Sequence, residues 1–536
     1  MKIVKSLMFF MVLAVAFFAC QGPMDEITKT EYPQAFSPID LEVTQGAFGS
    51  VTVRWRTVDG AKAYIVELSK DVLEFKNFVG VWEVEATSLL ITNLVGETDY
   101  SVRVKSISTD YEYQIDSKWN EIAFRTNPEQ LFNNLRDEDV RTGQIRLRWT
   151  PDPDVTKLNV EPDIGDITLT DEEIEKGEKA LTGLTPVTQY VITIWNGDLK
   201  RGTLEATTKW RPSGEGVVEL AIGDDLAAAM NDPANGGKII FLPEGYTYTW
   251  ASSIRPEANI KIFGDPDGDR PFFTIPHNTP ITVDGLTADS VCFEYVTFHS
   301  VHGDGYFINQ GNNNTTAVCN IGMLKFENCR FIDFGRSIVR AQNENQRFEL
   351  IHFNRCLIEN SNSNAGQNYA FIQCTFAFEA LPDIRVTNTT VNHAYVSFIN
   401  IAGGTGQPSG KNVLIENVTF YKTVGFNGTS ESDRFLIDGG TNGPVNLTVR
   451  NCILGSVKGV GRERGYRFAE GSTMTASGNY ATTDWTTVAE GAMLNIPATP
   501  YAGTAAALFV DPDNGDFSIK DENFPGIGVA GDPRWW

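Results

Sequence analysis

The chain has 536 residues, 41 % of them hydrophobic and 21 % charged, with 48 Gly and 24 Pro; this is a folded, multidomain composition in which strands and turns outweigh helices. Lys and Arg number 44 against 68 Asp and Glu, a formal charge of −24, which argues against nonspecific binding to a phosphate backbone and so against nucleic acid as a partner. Any acidic glycan would have to meet a local cationic patch or a bound metal.

In chain order, the first element is an export signal. Lys2 and Lys5 precede the apolar run "LMFFMVLAVAFFA", too short to span a bilayer comfortably. "FFAC" resembles a bacterial lipobox, which implies a signal peptide over 1–19 and lipidation of Cys20. Cleavage after Ala14–Ala16 is the alternative and would give a soluble secreted protein. Gln21, in place of the Asp associated with inner-membrane retention, implies the outer membrane, with the lipid as the only membrane attachment. A polar tether covers 20–36.

Two similar blocks follow, 37–127 and 128–210. The first has "VTVRWRTVDGAKAYIVELS" and the second "GQIRLRWTPDPDVTKLNV", each with period-two alternation and an early Trp, Trp55 and Trp149. Each also places a Leu six residues before a Tyr, Leu94 to Tyr100 and Leu184 to Tyr190. This resembles the fibronectin type III domain, in which that Tyr makes the tyrosine corner. Such domains bind proteins or glycans or serve as spacers, and the spacer reading is preferred.

Over 216–480 the texture changes. "VVELAIGDDLAAAMNDPANGGKIIFLPEGYTYTW" pairs a short helical pattern with a strand, then a nine-residue phrase recurs from Phe293, Phe326, Phe353, Phe371, Val386, Ile415 and Val449. Equal phrases with unequal spacings indicate a solenoid. The opening resembles the N-terminal cap of pectate-lyase-like right-handed parallel β-helices, so the expected fold is all-β: two fibronectin type III sandwiches, then a right-handed parallel β-helix, closed by a C-terminal cap over 481–536. Within the phrase, Asn328, Asn388, Asn417 and Asn451 are expected to stack at a bend. Cys329, Cys356, Cys374 and Cys452 are expected to share the next, core-facing slot as stacked small hydrophobes; a disulfide network and a metal site are the weaker readings, since no CxxC pair occurs.

Chemistry would sit on the third strand of each coil. "YFINQG", "RSIVRAQ", "YVSFINIAGG", "RFLIDGG" and "YRFAEG" are the candidates, and aligning their ends puts Gln310, Gln342, Asp438 and Glu470 in one column. The glycan-binding candidates are Tyr306, Gln310, Arg336, Arg340, Arg434, Tyr466 and Arg467, because Arg forks onto carboxylates and Tyr offers a flat apolar face to a sugar ring. Arg340 or Arg434 would be the base of a β-elimination, with Asp438 and Glu470 as ligands of Ca²⁺ if it binds. The pectate lyase arginine signature is absent, the polygalacturonase set of adjacent Asp-Asp together with Gly-His-Gly is missing from the helical region, and a pectin-esterase-like Asp pair is not evident. "GDPDGDRP" (Asp265, Asp267, Asp269) and "DPDNGD" (Asp511, Asp513, Asp516) look like calcium loops but fail the EF-hand pattern, and turn chemistry accounts for them.

Taken whole, the chain resembles surface lipoproteins of bacterial polysaccharide-utilisation systems. That resemblance implies capture of a uronate-containing, pectin-like polysaccharide beside outer-membrane uptake proteins. The alternatives are a polysaccharide lyase and a structural adhesin.

Overall fold

The computed structural model describes residues 34–46, 49–108, 115–249, 254–256, 258–276, 280–283, 285–301, 305–310, 318–341, 346–361, 369–374, 382–395, 397–401, 411–425, 433–440, 444–459, 462–490 and 493–536. The lipobox Cys20 and Gln342 lie outside them. The protein is nearly all β, with β-sandwich domains that resemble fibronectin type III followed by a parallel β-solenoid. Contacts group it into two compact units, one holding the described residues of Met1–Phe132 with Thr150–Lys176 and Val191–Leu204, the other Asn133–Trp149 and Gly177–Tyr190 with Glu205–Trp536.

In the first sandwich, a three-stranded sheet (Glu42–Gln45, Val51–Arg54, Ser88–Ile91) and a four-stranded sheet (Phe78–Val84, Ala61–Ser69, Asp99–Ser108, Asn120–Arg125) enclose one core. The alternation in "VTVRW" explains it: Val51, Val53 and Trp55 point inward and are buried. The tyrosine corner is present. The Val95 amide donates to Tyr100 Oη at 3.1 Å, and in the second domain the Thr185 amide donates to Tyr190 Oη at 3.0 Å. The two sheets of that second domain fall on either side of the division between the units.

Among the described residues the solenoid consists of three sheets of ten, ten and seven strands. In the first, strands such as Thr287–Glu294, Cys319–Glu327, Gln346–Asn354, Asp383–Thr387, Lys411–Glu416 and Val445–Arg450 pair in parallel. The second carries the end of each phrase, for example Arg330–Ile332, Leu357–Glu359, Thr390–Asn392 and Thr419–Tyr421. The third runs through Ile308–Gln310, Val339–Ala341, Ala370–Cys374, Ser397–Asn400, Asp433–Asp438 and Arg462–Arg467, to which Met493–Leu494 adds antiparallel. Side chains at one phrase position stack up the core: Phe293, Phe326 and Phe353 lie ring on ring at 5.3 and 4.5 Å. At the start of the solenoid, helix Leu226–Asn231, capped by Asp225 accepting from the Ala227 amide, adds Leu226, Ala227 and Met230 to that core.

Between the first and second sheets the chain turns sharply on a single residue with positive φ. Tyr295, Asn328, Arg355, Asn388, Asn417 and Asn451 hold this left-handed conformation, with φ between 50° and 58°. Asn is the non-Gly residue that adopts it most readily, which is why the phrase favours it. Each of these amides donates to the coil above, as Asn417 N does to Arg450 O at 3.1 Å. Part of the side-chain ladder is built: Asn388 Nδ2 donates to Asn354 Oδ1 at 2.9 Å and Asn417 Nδ2 to Asn388 Oδ1 at 3.0 Å.

Two expectations are corrected here. The stretch from Phe371 is not a phrase: Ala370–Cys374 belongs to the third sheet, in register with Val339–Ala341 and Ser397–Asn400. Cys374 therefore leaves the slot shared by Cys329, Cys356 and Cys452. All four thiols are buried and free; burial pushes those of Cys356, Cys374 and Cys452 up to about 12. The C-terminal segment, moreover, does more than close the end. Thr499–Pro500 extends the second sheet, but residues beyond it double back along that sheet: Asp513 accepts from Tyr421 Oη at 2.6 Å, Phe517 packs on Tyr421, and Asp532 accepts from Thr390 Oγ1 at 2.8 Å. Trp535 Nε1 donates to the same Thr390 hydroxyl at 2.7 Å.

Candidate functional site

On the third sheet, strand alternation sends Val339 and Ala341 into the core and leaves Arg340 pointing outward. Register then builds the outer column: Asn309 beside Arg340, Arg340 beside Gln373, Gln373 beside Asn400, Asn400 beside Asp438, and Asp438 beside Arg467. This differs from the expected column of Gln310, Gln342, Asp438 and Glu470. Gln310 pairs with Ala341, one residue out of phase, and Glu470 lies beyond the end of Arg462–Arg467. Aligning strands on their following turns fails because the turns differ in length while the ladder holds the register.

Two clusters form along the column. In the first, the Arg336 and Arg340 guanidinium carbons lie 5.0 and 4.8 Å from the centre of the Tyr306 ring, and Arg336 also lies 5.6 Å from the Tyr369 ring. The two tyrosines meet edge to face at 5.5 Å. Burial, and then the hydrogen bond with Tyr369, push the Tyr306 hydroxyl up to about 12, so it stays protonated and neutral beneath the two cations. Arg340 Nη1 donates to Asn309 Oδ1 at 3.3 Å, and Tyr395 Oη donates to the Arg336 carbonyl at 3.0 Å, which fixes the loop that carries Arg336. The Nε atoms of Arg336 and Arg340 are buried and have no hydrogen-bond partner among the described residues. Cations held over aromatic rings with donors unspent are suited to a carboxylate.

The second cluster is self-satisfied. Arg467 forks onto Asp438, Gly440 N donates to the same carboxylate at 3.0 Å, and the Arg467 guanidinium lies 4.8 Å from the Phe435 ring. Arg434 is buried, at 6 % exposure, while Tyr466 packs on Phe468 at 5.5 Å. The structure thus brings Tyr306, Arg336 and Arg340 together, and separately Asp438 and Arg467. Among the described residues no group of three or more His, Cys, Asp or Glu could hold a metal. The two Asp-rich loops spend their carboxylates on the protein: Asp265 pairs with Arg211 at 2.9 Å, Asp267 accepts from Thr142, and Asp513 pairs with Lys422 at 2.5 Å.

Sequence reasoning missed Tyr369 and Asn309. Asn309 was legible as the residue preceding Gln310 once the strand register was known, whereas Tyr369 precedes a strand that imitates the phrase.

Comparison with known proteins places residues 413–535 in the match of a family model described as a domain of unknown function (DUF5123). No curated protein matches the chain. Among solved structures, a two-domain fibronectin type III segment of chicken tenascin is similar at 20 % identity, over 32 % of this chain and 99 % of that one, with a TM-score of 0.22. The fn3 domain of human collagen alpha-1(XX) chain is similar at 21 % identity, over 19 % of this chain and 94 % of that one, with a TM-score of 0.16.

Proposed function

We propose that the protein is a lipid-anchored surface protein of a bacterial polysaccharide-utilisation system, which binds a uronate-rich, pectin-like polysaccharide along the third sheet of its solenoid. The reading is carried by one arrangement: two guanidinium groups resting on Tyr306, each with a buried Nε that has no partner among the described residues. A uronate carboxylate pairs with guanidinium groups of this kind. Cys20 would carry the lipid, and outer-membrane uptake proteins would receive the captured chain. Binding is preferred to β-elimination because Arg434 is buried and Asp438 is already bound by Arg467 and Gly440, which leaves neither a solvent-facing Arg434 base nor an open carboxylate for calcium.

The test uses residues 21–536 and polygalacturonate, with and without calcium, reading both retention on an affinity gel and the ultraviolet absorbance of unsaturated product. Retention without product, weakened at least about tenfold by Arg340→Ala, is expected, a loss of about 1.4 kcal/mol. Product formation would make the protein a lyase, and failure to retain any acidic glycan would overturn the proposal.

A further inference from the structure

The corner between the first and second sheets also forms one side of a cleft of about 400 Å³, walled by Tyr295, Asn328, Arg355 and Asn388 on one side and by Arg136, Asp137 and Lys209 on another, with Arg534 from the C-terminal segment. All of these residues belong to one compact unit.

Most of the charges here are matched. Lys209 Nζ donates to the Asp137 carbonyl at 2.7 Å, pairs with its carboxylate at 3.2 Å and lies 4.5 Å from the Tyr295 ring, while Arg270 adds a second cation to Asp137 at 3.0 Å. Arg534 donates to the Arg355 carbonyl at 2.7 Å and lies 3.8 Å from Asp532. Two groups are left over. The Arg355 guanidinium has no hydrogen bond or ion pair among the described residues, and Arg136 reaches only Glu138, at 4.0 Å. An acceptor is left over as well: Asn328 is 2 % exposed, and its Oδ1 is buried with no donor among the described residues. In the corner column Asn417 donates to the Asn388 Oδ1 below it, whereas the residue above Asn328 is Arg355, which makes no such bond.

We infer that this corner cleft binds a small hydroxy-carboxylate, the chemistry of a single uronic acid residue, with its carboxylate on Arg355 and a hydroxyl donating to Asn328 Oδ1. A buried acceptor beside an unpaired cation selects for a ligand that carries both an anion and a hydrogen-bond donor. Sulfate, fully deprotonated at neutral pH, lacks the donor, and a neutral sugar lacks the charge. The site is distinct from the third-sheet cluster and its inference does not depend on polymer binding there.

Isothermal titration of residues 21–536 with galacturonate, galactose and inorganic sulfate tests it. Galacturonate is expected to bind saturably and at least about tenfold more tightly than either control. Arg355→Asn is the decisive variant, since Asn suits the left-handed backbone and would extend the amide ladder while removing the charge; it should keep its melting temperature and lose at least about tenfold in galacturonate affinity. Asn328→Gly, which tolerates the same backbone, should lose a similar factor. Galacturonate affinity unchanged in Arg355→Asn, sulfate binding as tight as galacturonate, or no galacturonate binding would each overturn the inference. Arg340→Ala should leave this affinity intact while losing polymer retention, so the two proposals fail separately.

Discussion

Arg467 holds Asp438 side on, with Nε 2.9 Å from Oδ1 and Nη2 2.9 Å from Oδ2, across two strands in register. The Asp438 side chain is 10 % exposed. Arg467→Ala would strand a nearly buried carboxylate with only the Gly440 amide for company, and is expected to cost roughly 2–3 kcal/mol in urea unfolding. In the native protein the same pair occupies the carboxylate, so millimolar calcium should leave the melting temperature unchanged; a clear rise would show that Asp438 is open to the ion.

The corner residues give a second prediction. Asn417 combines a φ of 53° with an amide bond to Asn388. Asn417→Gly removes the amide alone and should cost about 1 kcal/mol, whereas Asn417→Ala adds the left-handed backbone penalty and should cost about 2 kcal/mol or more. Equal losses in the two variants would mean that the backbone conformation contributes nothing.

Lys458 gives a pH dependence of unusual sign. Burial lowers its pKa from 10.5 to about 8, so the unfolded chain binds this proton more tightly than the folded one. Stability should therefore rise as pH climbs from about 8 toward 10.5, and the full penalty should be present below 8. Lys458→Met is expected to be more stable than the native protein at pH 7 by about 2 kcal/mol, after a discount for its partial contact with solvent, and the gap should close by pH 10. A gap that is constant with pH would place the ammonium in water.

In the sandwich domains, Tyr100→Phe removes only the hydroxyl that accepts from the Val95 amide. The expected loss is about 1 kcal/mol for that domain, with a like effect of Tyr190→Phe through Thr185. Differential scanning calorimetry resolves the two transitions.

Much of the architecture was legible because its causes are local. Val51, Val53 and Trp55 alternate, the tyrosine corners keep a fixed spacing from their Leu, and Asn328, Asn388, Asn417 and Asn451 report the left-handed corner directly. Phe371 misled for an equally physical reason: a core strand of the third sheet and a phrase strand bury the same alternating residues, so an aromatic-led strand ending in Cys fits both. With that strand reassigned, the phrase spacings become 33, 27, 33, 29 and 34 residues from Phe293 to Val449, far more even than a sequence alignment suggested. Outward residues such as Arg340 and Asp438 were identifiable as polar strand positions, but their partners depend on register that no local pattern encodes. The corner cleft was beyond reach altogether, since Asp137, Lys209, Asn328, Arg355 and Arg534 are drawn together from segments spanning most of the described chain.

The doubled-back C-terminal segment changes how the solenoid comes apart. Stacked coils that touch only their neighbours can fray from one end, each coil melting nearly alone. Here Thr390 is fastened to Asp532 and Trp535, 142 and 145 positions away, and Thr419 Oγ1 accepts from the Asp532 amide at 2.9 Å. Loss of the last coil must therefore be accompanied by peeling of this segment from coils behind it. Such distant ties raise the contact order and slow the final folding step, and they turn a zipper that could open tooth by tooth into one that opens as a block.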